Sequence, residues 1–165
     1  MESYRQSGLL HRVVRRTAAT RPMATLYGVI QQPLDRFVDR VTGGRATASS
    51  WLAGVEITML TTTGARTGRP RTLPVLGLPD GPDVILIASN FGRRRNPAWY
   101  HNLRANPHAT IVSGGVSREV VARELSGAER EQGYLRGEQI FPGFTYYRRW
   151  AANRQIPVLR LEPPR

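Results

Sequence analysis

Cysteine and lysine are both missing from this chain of 165 residues. Without cysteine, disulfide bonds, thiolate nucleophiles and zinc–thiolate sites are excluded. Long apolar runs are missing as well: the longest, Val84 to Ala88, is far shorter than the roughly 20 residues of a transmembrane helix. The N-terminus lacks the apolar segment of a secretory signal. These absences predict a cytoplasmic protein without disulfides.

Motifs for side-chain catalysis or metal binding are scarce. His11, His101 and His108 lack metal-ligand spacing, so no metal site is expected. There is no G-x-S-x-G elbow, Walker A motif or Rossmann glycine motif. Asp80 and Asp83 flank a Gly-Pro pair, where carboxylates are typical of a turn. The sequence therefore indicates that the side chains do not supply the chemistry themselves.

All 24 basic residues are arginines, and with 12 acidic residues they give a net charge of +12. Arginine binds phosphates and carboxylates bidentately, so a polyanionic ligand, a nucleic acid or an anionic membrane would suit this surface. A coding bias towards arginine is the alternative explanation for most of them. Only arginines in a well-formed loop therefore count as evidence for a ligand.

Residues 1–50 are predicted to form a basic, partly helical extension, and residues 51–165 the main domain. Apolar residues between Leu9 and Val14 can share one helix face among arginines, which is typical of contact with an anionic membrane surface. A frayed basic tail is the alternative. A second helix is expected from Pro33 to the glycine pair at 43–44.

From Val55 onward the pattern predicts six short strands, mostly joined by hairpins. They are expected at Val55–Thr63, Thr72–Leu78, Val84–Ser89, Ala109–Ser113, Val116–Glu124 and Ile156–Leu161. Three helices are expected: one capped by Asn96 and ending before Asn106, one opened by a Ser126–Glu129 capping box, and one over Phe144–Asn153. This order predicts a mainly β protein with flanking helices (α+β), built on a small antiparallel barrel.

Two loops have residues suited to holding an anion. In Thr61–Arg71, glycines allow successive N–H groups to form a nest, with Arg66 and Arg71 beside it; an ordinary hairpin turn is the alternative. The loop Ser89–Asn96 carries three arginines and leads to a helix N-terminus, which attracts anions. On that helix Trp99 and Leu103 are expected to face the core, while Tyr100 and Asn102 are candidates for ligand contact.

Five aromatic residues lie within Phe141–Trp150. Phe144, Tyr147 and Trp150 are spaced i, i+3, i+6 and can form one helical stripe. Such a stripe either covers a flat apolar ligand or faces the core.

Four blocks then occur in order: L-T-T-T-G-x-R-[ST]-G-x-P-R at Leu60–Arg71, A-S-N-x-G at Ala88–Gly92, N-P-A-W-Y-H-N-L-x-A-N-P at Asn96–Pro107 and I-P-V-L-x-L-E-P at Ile156–Pro163. Together they resemble the deazaflavin-dependent nitroreductase family, which uses coenzyme F420. The resemblance implies a split β-barrel of the FMN-binding type. It also implies hydride transfer from reduced F420 to a small molecule: a nitro compound, a quinone or another activated alkene. A monomer or a homodimer is expected.

The resemblance also assigns site residues. Cofactor contacts fall on Ala65, Arg66, Thr67, Arg71, Thr72, Leu73, Pro74, Ile87, Ala88, Ser89, Asn90, Ala98, Trp99, Tyr100, His101, Asn102 and Phe144. Ser89 is expected to hydrogen-bond the substrate or the ring, and Tyr147 to donate a proton. The chain departs from the family pattern by lacking a basic residue at Ala65 and Asn90, and a tyrosine at Phe141 and Phe144.

Two other functional classes compete with this interpretation. A non-catalytic carrier would bind the cofactor without turnover. A nucleic-acid-binding module is disfavoured, because the arginines are spread along the chain and the aromatic residues cluster instead of interleaving with them.

Overall fold

The structure, a computed structural model, describes residues 57–151 and 154–164. The predicted extension 1–50, with its two helices, lies outside these residues. The strands are β1 (Ile57–Thr63), β2 (Pro70–Leu76), β3 (Leu78–Asp80), β4 (Asp83–Ile87), β5 (His108–Ser113), β6 (Val116–Glu124) and β7 (Val158–Glu162). The helices are α1 (Ala98–Ala105), α2 (Gly127–Ile140) and α3 (Gly143–Trp150), and a short 3₁₀ turn spans Asn90–Gly92.

The seven strands form one sheet in the order β2-β1-β5-β6-β7-β4-β3, and every pairing is antiparallel. Three hairpins, β1–β2, β3–β4 and β5–β6, arise from turns that the sequence predicts. β7 lies between β6 and β4, so the last described strand joins the two parts of the sheet. The predicted mainly β fold with flanking helices is confirmed, as a split barrel.

Two apolar clusters fill the fold. The first lies where α2 and α3 pack on the sheet, around the fully buried Tyr134. The second lies around Leu60, Leu86 and Ile111 and includes Trp99 from α1. Because strand residues alternate between faces, β4 contributes to both clusters: Ile85 and Ile87 to the first, Val84 and Leu86 to the second.

Helix α2 lies close to the sheet because two of its core-facing residues are glycines. A Cβ added at Gly133 would lie 3.1 Å from Cγ1 of Val158. At Gly137 an added Cβ would overlap Cδ1 of Ile87. The helix therefore gains close sheet contact in exchange for the lower helix propensity of glycine.

A network of ion pairs also links helix α2 to the strands of the sheet. Glu129 on α2 accepts from Arg123 at 2.9 Å and lies 3.1 Å from a guanidinium nitrogen of Arg160. Arg160 also binds Asp80, which Arg136 of α2 contacts in turn. The hydrogen bond from Arg123 lowers the pKa of the Glu129 carboxyl. The network links α2 to strands β6 and β7 and to the β3–β4 hairpin.

Three details of the secondary structure differ from the predictions. The expected strand Thr72–Leu78 is interrupted at Gly77, where an added Cβ would overlap Oγ1 of Thr58, so β2 and β3 are separate and there are seven strands in the described chain. The N-cap of α1 is Pro97, not Asn96, whose side chain binds Arg154. Ser126 is the N-cap of α2 but makes no capping hydrogen bond, and Glu129 binds arginines instead.

None of the helices in the described part of the chain is long and apolar enough to cross a membrane.

Candidate functional site

The first loop, residues 64–69 between β1 and β2, closes on Gly64. The Gly64 N–H donates to the carbonyl of Arg69 at 2.9 Å. The Gly64 carbonyl accepts from the N–H groups of Thr67 at 3.1 Å and Gly68 at 2.8 Å. These N–H groups point into the turn, so the predicted nest of successive free N–H groups is wrong for this loop. Its arginines are what remain available to an anion.

Asn102 ties the first loop to α1. Its Oδ1 accepts from the N–H of Ala65 at 3.0 Å, and its Nδ2 donates to Oγ1 of Thr62 at 3.0 Å. Both hydrogen-bonding ends of the amide are thus used within the protein. The predicted candidate Asn102 therefore positions the loop.

The second loop, residues 88–96, has an unusual backbone. Asn90 and Phe91 have φ values of 48° and 56°, and Gly92 follows with 72°. Non-glycine residues in this left-handed region cost about 1–3 kcal/mol each and persist where surrounding contacts fix them. Within the described part of the chain, the N–H groups of Asn90 and Phe91 donate to no protein acceptor. The free N–H groups that the sequence suggested for the first loop are therefore found in the second.

Arg154, which the sequence analysis did not single out, holds this loop in place. Its guanidinium donates to the carbonyls of Ala88, Ser89 and Arg93, and to the side chain of Asn96. The motif Ile156–Pro163 begins two positions after it, so no sequence signal marked its role. The partners lie about sixty positions earlier in the chain, and only the fold brings them together.

Two groups of arginines in the described chain differ in their partners. Those packed around α2, such as Arg123, Arg136 and Arg160, form ion pairs with carboxylates. Those of the two loops and the start of β2 have no carboxylate within 4.0 Å among residues 57–151 and 154–164: Arg66, Arg69, Arg71, Arg93, Arg94 and Arg95. All six are exposed. They give the two loops flanking α1 a positive field that the described carboxylates leave uncompensated.

Helix α1 faces the core with Trp99 and Leu103, as expected. Tyr100 is buried as well, and its hydroxyl hydrogen-bonds to the carboxylate of Glu124 at 3.1 Å. Burial and that hydrogen bond raise the pKa of Tyr100. The expectation that Tyr100 extends towards a ligand is therefore wrong, because it contacts β6. Ala98 and His101 are exposed.

The aromatic stripe on α3 faces the core, which is the second of the two predicted alternatives. Phe144 and Tyr147 are both 4 % exposed, with Trp150 packed against their cluster. Phe144 packs edge-on against Tyr134, whose hydroxyl donates to the Phe144 carbonyl at 2.9 Å. Phe144, which the resemblance assigns to the cofactor, thus lies in the core cluster.

Tyr147 connects that core to the second loop. Its ring packs edge-on against Phe91 at 5.9 Å between centroids. Burial raises its pKa well above the ordinary value, and its hydroxyl has no hydrogen-bond partner among the residues described. The hydroxyl therefore stays protonated at neutral pH.

The remaining candidates lie along the same strands and loops. Ile87, Ala88 and Ser89 are buried at the end of β4, where the second loop begins. On β2, the Thr72 hydroxyl bonds to that of Thr61 at 2.9 Å, and Leu73 packs against the second cluster while Pro74 is half-buried. Thr67, like the arginines beside it, is exposed. The structure thus places these candidates on or beside two loops that both adjoin α1, the first through the hydrogen bond from Ala65 to Asn102 and the second at the N-terminus of the helix.

Among the described residues no group of three or more metal-ligating side chains occurs. A split barrel with two cationic loops is the type of scaffold on which an anionic cofactor is bound and supplies the chemistry.

A family model described as F420H(2)-dependent quinone reductase matches residues 34–163. The F420H(2)-dependent quinone reductase Rv1261c of Mycobacterium tuberculosis strain H37Rv is 46 % identical over 108 residues, 62 % of this chain and 70 % of that protein. A solved structure of an F420-H2 dependent reductase, FDR-A, is 33 % identical, with a TM-score of 0.60, covering 64 % of this chain and 93 % of that one. Another, described as a domain-swapped dimer, is 29 % identical, with a TM-score of 0.63, covering 77 % and 95 %.

The chain belongs to the F420H(2)-dependent quinone reductase family and is an oxidoreductase. The predicted family resemblance, cofactor and enzyme class are confirmed.

Proposed function

We propose that this protein transfers a hydride from reduced coenzyme F420 to a quinone. The observation that carries the proposal is the set of six unpaired arginines on the two loops flanking α1, found in a member of this family. F420 carries a phosphodiester and an oligoglutamate tail, and both are anions that arginine binds well.

The residues present fit such a cofactor. The free N–H groups of Asn90 and Phe91 suit a phosphate oxygen, and the exposed Arg93, Arg94 and Arg95 lie next to them. Arg66 and Arg71 supply charge from the first loop and the start of β2. In this chain these arginines take the place of the basic residues that the family pattern has at Ala65 and Asn90.

When bound, the deazaflavin supplies an obligate hydride donor, so the protein needs neither a nucleophile nor a metal for that step. The chain's own contribution is to bind the anionic part, orient the ring and exclude water. The buried end of β4, Ile87–Ser89, provides the dry surface that orientation requires.

Tyr147 and Ser89 are the proposed hydrogen-bond donors to the acceptor. A phenol with a raised pKa is a weak acid, and Brønsted behaviour favours groups whose pKa lies near the working pH. Tyr147 therefore acts better as a hydrogen-bond donor that polarises a quinone carbonyl than as a full proton donor. The Ser89 hydroxyl makes no hydrogen bond with described residues and is free for the same task.

Fluorescence titration with oxidised and reduced F420 tests the cofactor assignment, with FMN as competitor. Arg66→Ala and Arg71→Ala are each expected to weaken binding by about 1.5–3 kcal/mol, as for charge-assisted hydrogen bonds. Arg118→Ala is the matched control, because this exposed arginine lies on β6 and donates to the carbonyl of Pro82. Equal losses in all three variants would indicate a general field instead of a site, and tighter binding of FMN would indicate a flavin enzyme.

Turnover separates an enzyme from a carrier. Oxidation of reduced F420 in the presence of a quinone, followed by absorbance, is the expected result. Nitro compounds and other activated alkenes are the alternative acceptors, and binding without oxidation by any of them would favour the carrier.

Two further proposals concern the N-terminal segment and the oligomeric state. The basic N-terminal segment, residues 1–22, is proposed to contact anionic lipid, which co-sedimentation of the full chain with anionic and neutral vesicles tests. A monomer or a homodimer is proposed in the cytoplasm, and light scattering distinguishes the two states.

A further inference from the structure

Arg154 makes more hydrogen bonds to one loop than any other described arginine makes to a single segment. Its Nη2 donates to the carbonyls of Ser89 at 2.8 Å and Arg93 at 3.0 Å. Its Nη1 donates to the Ala88 carbonyl at 3.3 Å and to Oδ1 of Asn96. Its Nε donates to the Arg93 carbonyl as well, at 3.2 Å. The planar fork thus spans the whole second loop from its first residue to its last.

Every one of these acceptors is uncharged. No described carboxylate lies within 4.0 Å of Arg154, whereas Arg130, which also binds a backbone carbonyl, has Glu131 at 3.2 Å. Arg154 is partly buried, and arginine stays charged at neutral pH. Its charge adds to that of the exposed arginines in the same loop.

The position of the hydrogen bonds coincides with the strain in the backbone. Ser89 and Arg93, whose carbonyls Arg154 holds, bracket the left-handed residues Asn90 and Phe91. A strained backbone conformation persists only where the surrounding contacts hold it in place. Arg154 supplies such contacts on both sides of the strained pair.

We propose that Arg154 is a positioning residue that holds the second loop in its strained conformation and thereby keeps the N–H groups of Asn90 and Phe91 turned outward for an anion. The assignment of that anion as the phosphodiester of F420 rests on the proposed function. The loop is then formed before the ligand arrives, so little binding energy is lost in ordering it.

Hydrogen exchange of the protein without cofactor tests the positioning directly. In Arg154→Met the hydrogen-bonded amides of this loop, those of Ala88, Gly92 and Arg93, are expected to exchange about tenfold faster or more, because the loop opens locally. Arg118→Met is the matched control, since it removes a guanidinium that holds the Pro82 carbonyl at 3.2 Å, at the opposite end of β4 from this loop. Unchanged exchange at these three amides in Arg154→Met, or an equal rise there in Arg118→Met, would overturn the proposal.

Binding of F420, measured by fluorescence, tests the consequence. Arg154→Met is expected to raise the Kd by about tenfold or more, the effect of losing charge-assisted hydrogen bonds. Arg154→Lys keeps the charge but cannot span three carbonyls, so it is expected to recover less than half of that loss on a logarithmic scale. Full recovery in Arg154→Lys would show that charge alone matters, and faster exchange with unchanged Kd would show that the loop does not serve the cofactor. If the wild-type protein binds no F420, the proposed function fails, while the exchange experiment still decides whether Arg154 holds the loop.

Discussion

Ala65 and Asn102, 37 positions apart, are joined by a hydrogen bond of 3.0 Å from the backbone of the first loop to a side chain on α1. The same amide donates to Thr62 at the end of β1, so one side chain fixes both the start of the loop and the strand before it. The cationic loop is therefore held by a residue that needs no charge of its own.

Asn102→Leu is expected to lower both stability and F420 affinity. The leucine leaves the Thr62 hydroxyl and the Ala65 N–H without their partner, which costs about 1–3 kcal/mol where such groups are buried. Thermal unfolding and F420 titration measure the two effects. Asn106→Leu is the control, because Asn106 holds the His108 N–H at 3.1 Å, away from the loop. Loss of affinity in both variants would contradict a specific role for Asn102.

Gly137→Ala is expected to destabilise the protein although alanine is the better helix former. The propensity gain is about 1 kcal/mol, whereas overlap with Cδ1 of Ile87 forces a shift that costs about 1–3 kcal/mol. The double variant Gly137→Ala/Ile87→Val removes the overlapping atom and is expected to regain part of the stability. A denaturant titration of the three proteins checks this, and a more stable Gly137→Ala variant would show that α2 can move away from the sheet.

Tyr147→Phe is expected to keep the fold and the F420 affinity but to lower kcat with a quinone by about tenfold or more, as for a lost donor in the transition state. Because the pKa of Tyr147 is raised, its hydroxyl does not titrate near neutrality. The ratio of the two kcat values is therefore expected to stay constant between about pH 6 and 9. Steady-state kinetics across that range provide the measurement, and equal kcat values would remove Tyr147 from the reaction.

Phe144→Ala is expected to cost about 3–5 kcal/mol of stability, because the ring lies in the core and not on an open wall. The KM for a quinone is expected to change little in the folded fraction. Thermal melts of this variant, measured beside its steady-state kinetics, distinguish a core role of the ring from contact with the substrate. An unchanged melting temperature with a raised KM would favour the other alternative, that the aromatic stripe of α3 covers the ligand.

Acid is expected to weaken the ion-pair network on α2. The pKa of Glu129 is lowered in the folded protein, so its contribution to stability is present above the unfolded value of about 4.5 and is lost as the pH falls through the lower folded value. Glu129→Gln is therefore expected to be less stable than the wild type at pH 7 and about equally stable once the pH lies below the folded pKa of Glu129. Melting temperatures at both pH values test this, and a difference that persists in acid would point to packing as its cause.

Local signals predicted most of the described strands, because alternating apolar residues and glycine turns act over short distances. The family blocks likewise marked both loops. What escaped prediction depends on distant contacts: Gly77, between β2 and β3, lies so close to Thr58 that no side chain would fit there, and Asn96 binds Arg154 instead of capping α1. Tyr100 was misjudged for the same reason, since its partner Glu124 is on another strand. Periodicity alone cannot reveal which polar group a side chain will meet.

The place of β7 between β6 and β4 has a consequence for how the chain matures. Until Val158–Glu162 has been synthesised, the described strands can assemble only as a four-stranded piece, β2-β1-β5-β6, and a separate β3–β4 hairpin. Each piece exposes an unpaired edge that β7 later covers, and such edges invite pairing with other chains. A nascent protein stalled before this strand is therefore expected to depend on chaperones, and the late strand makes completion of the seven-stranded sheet an almost all-or-none event.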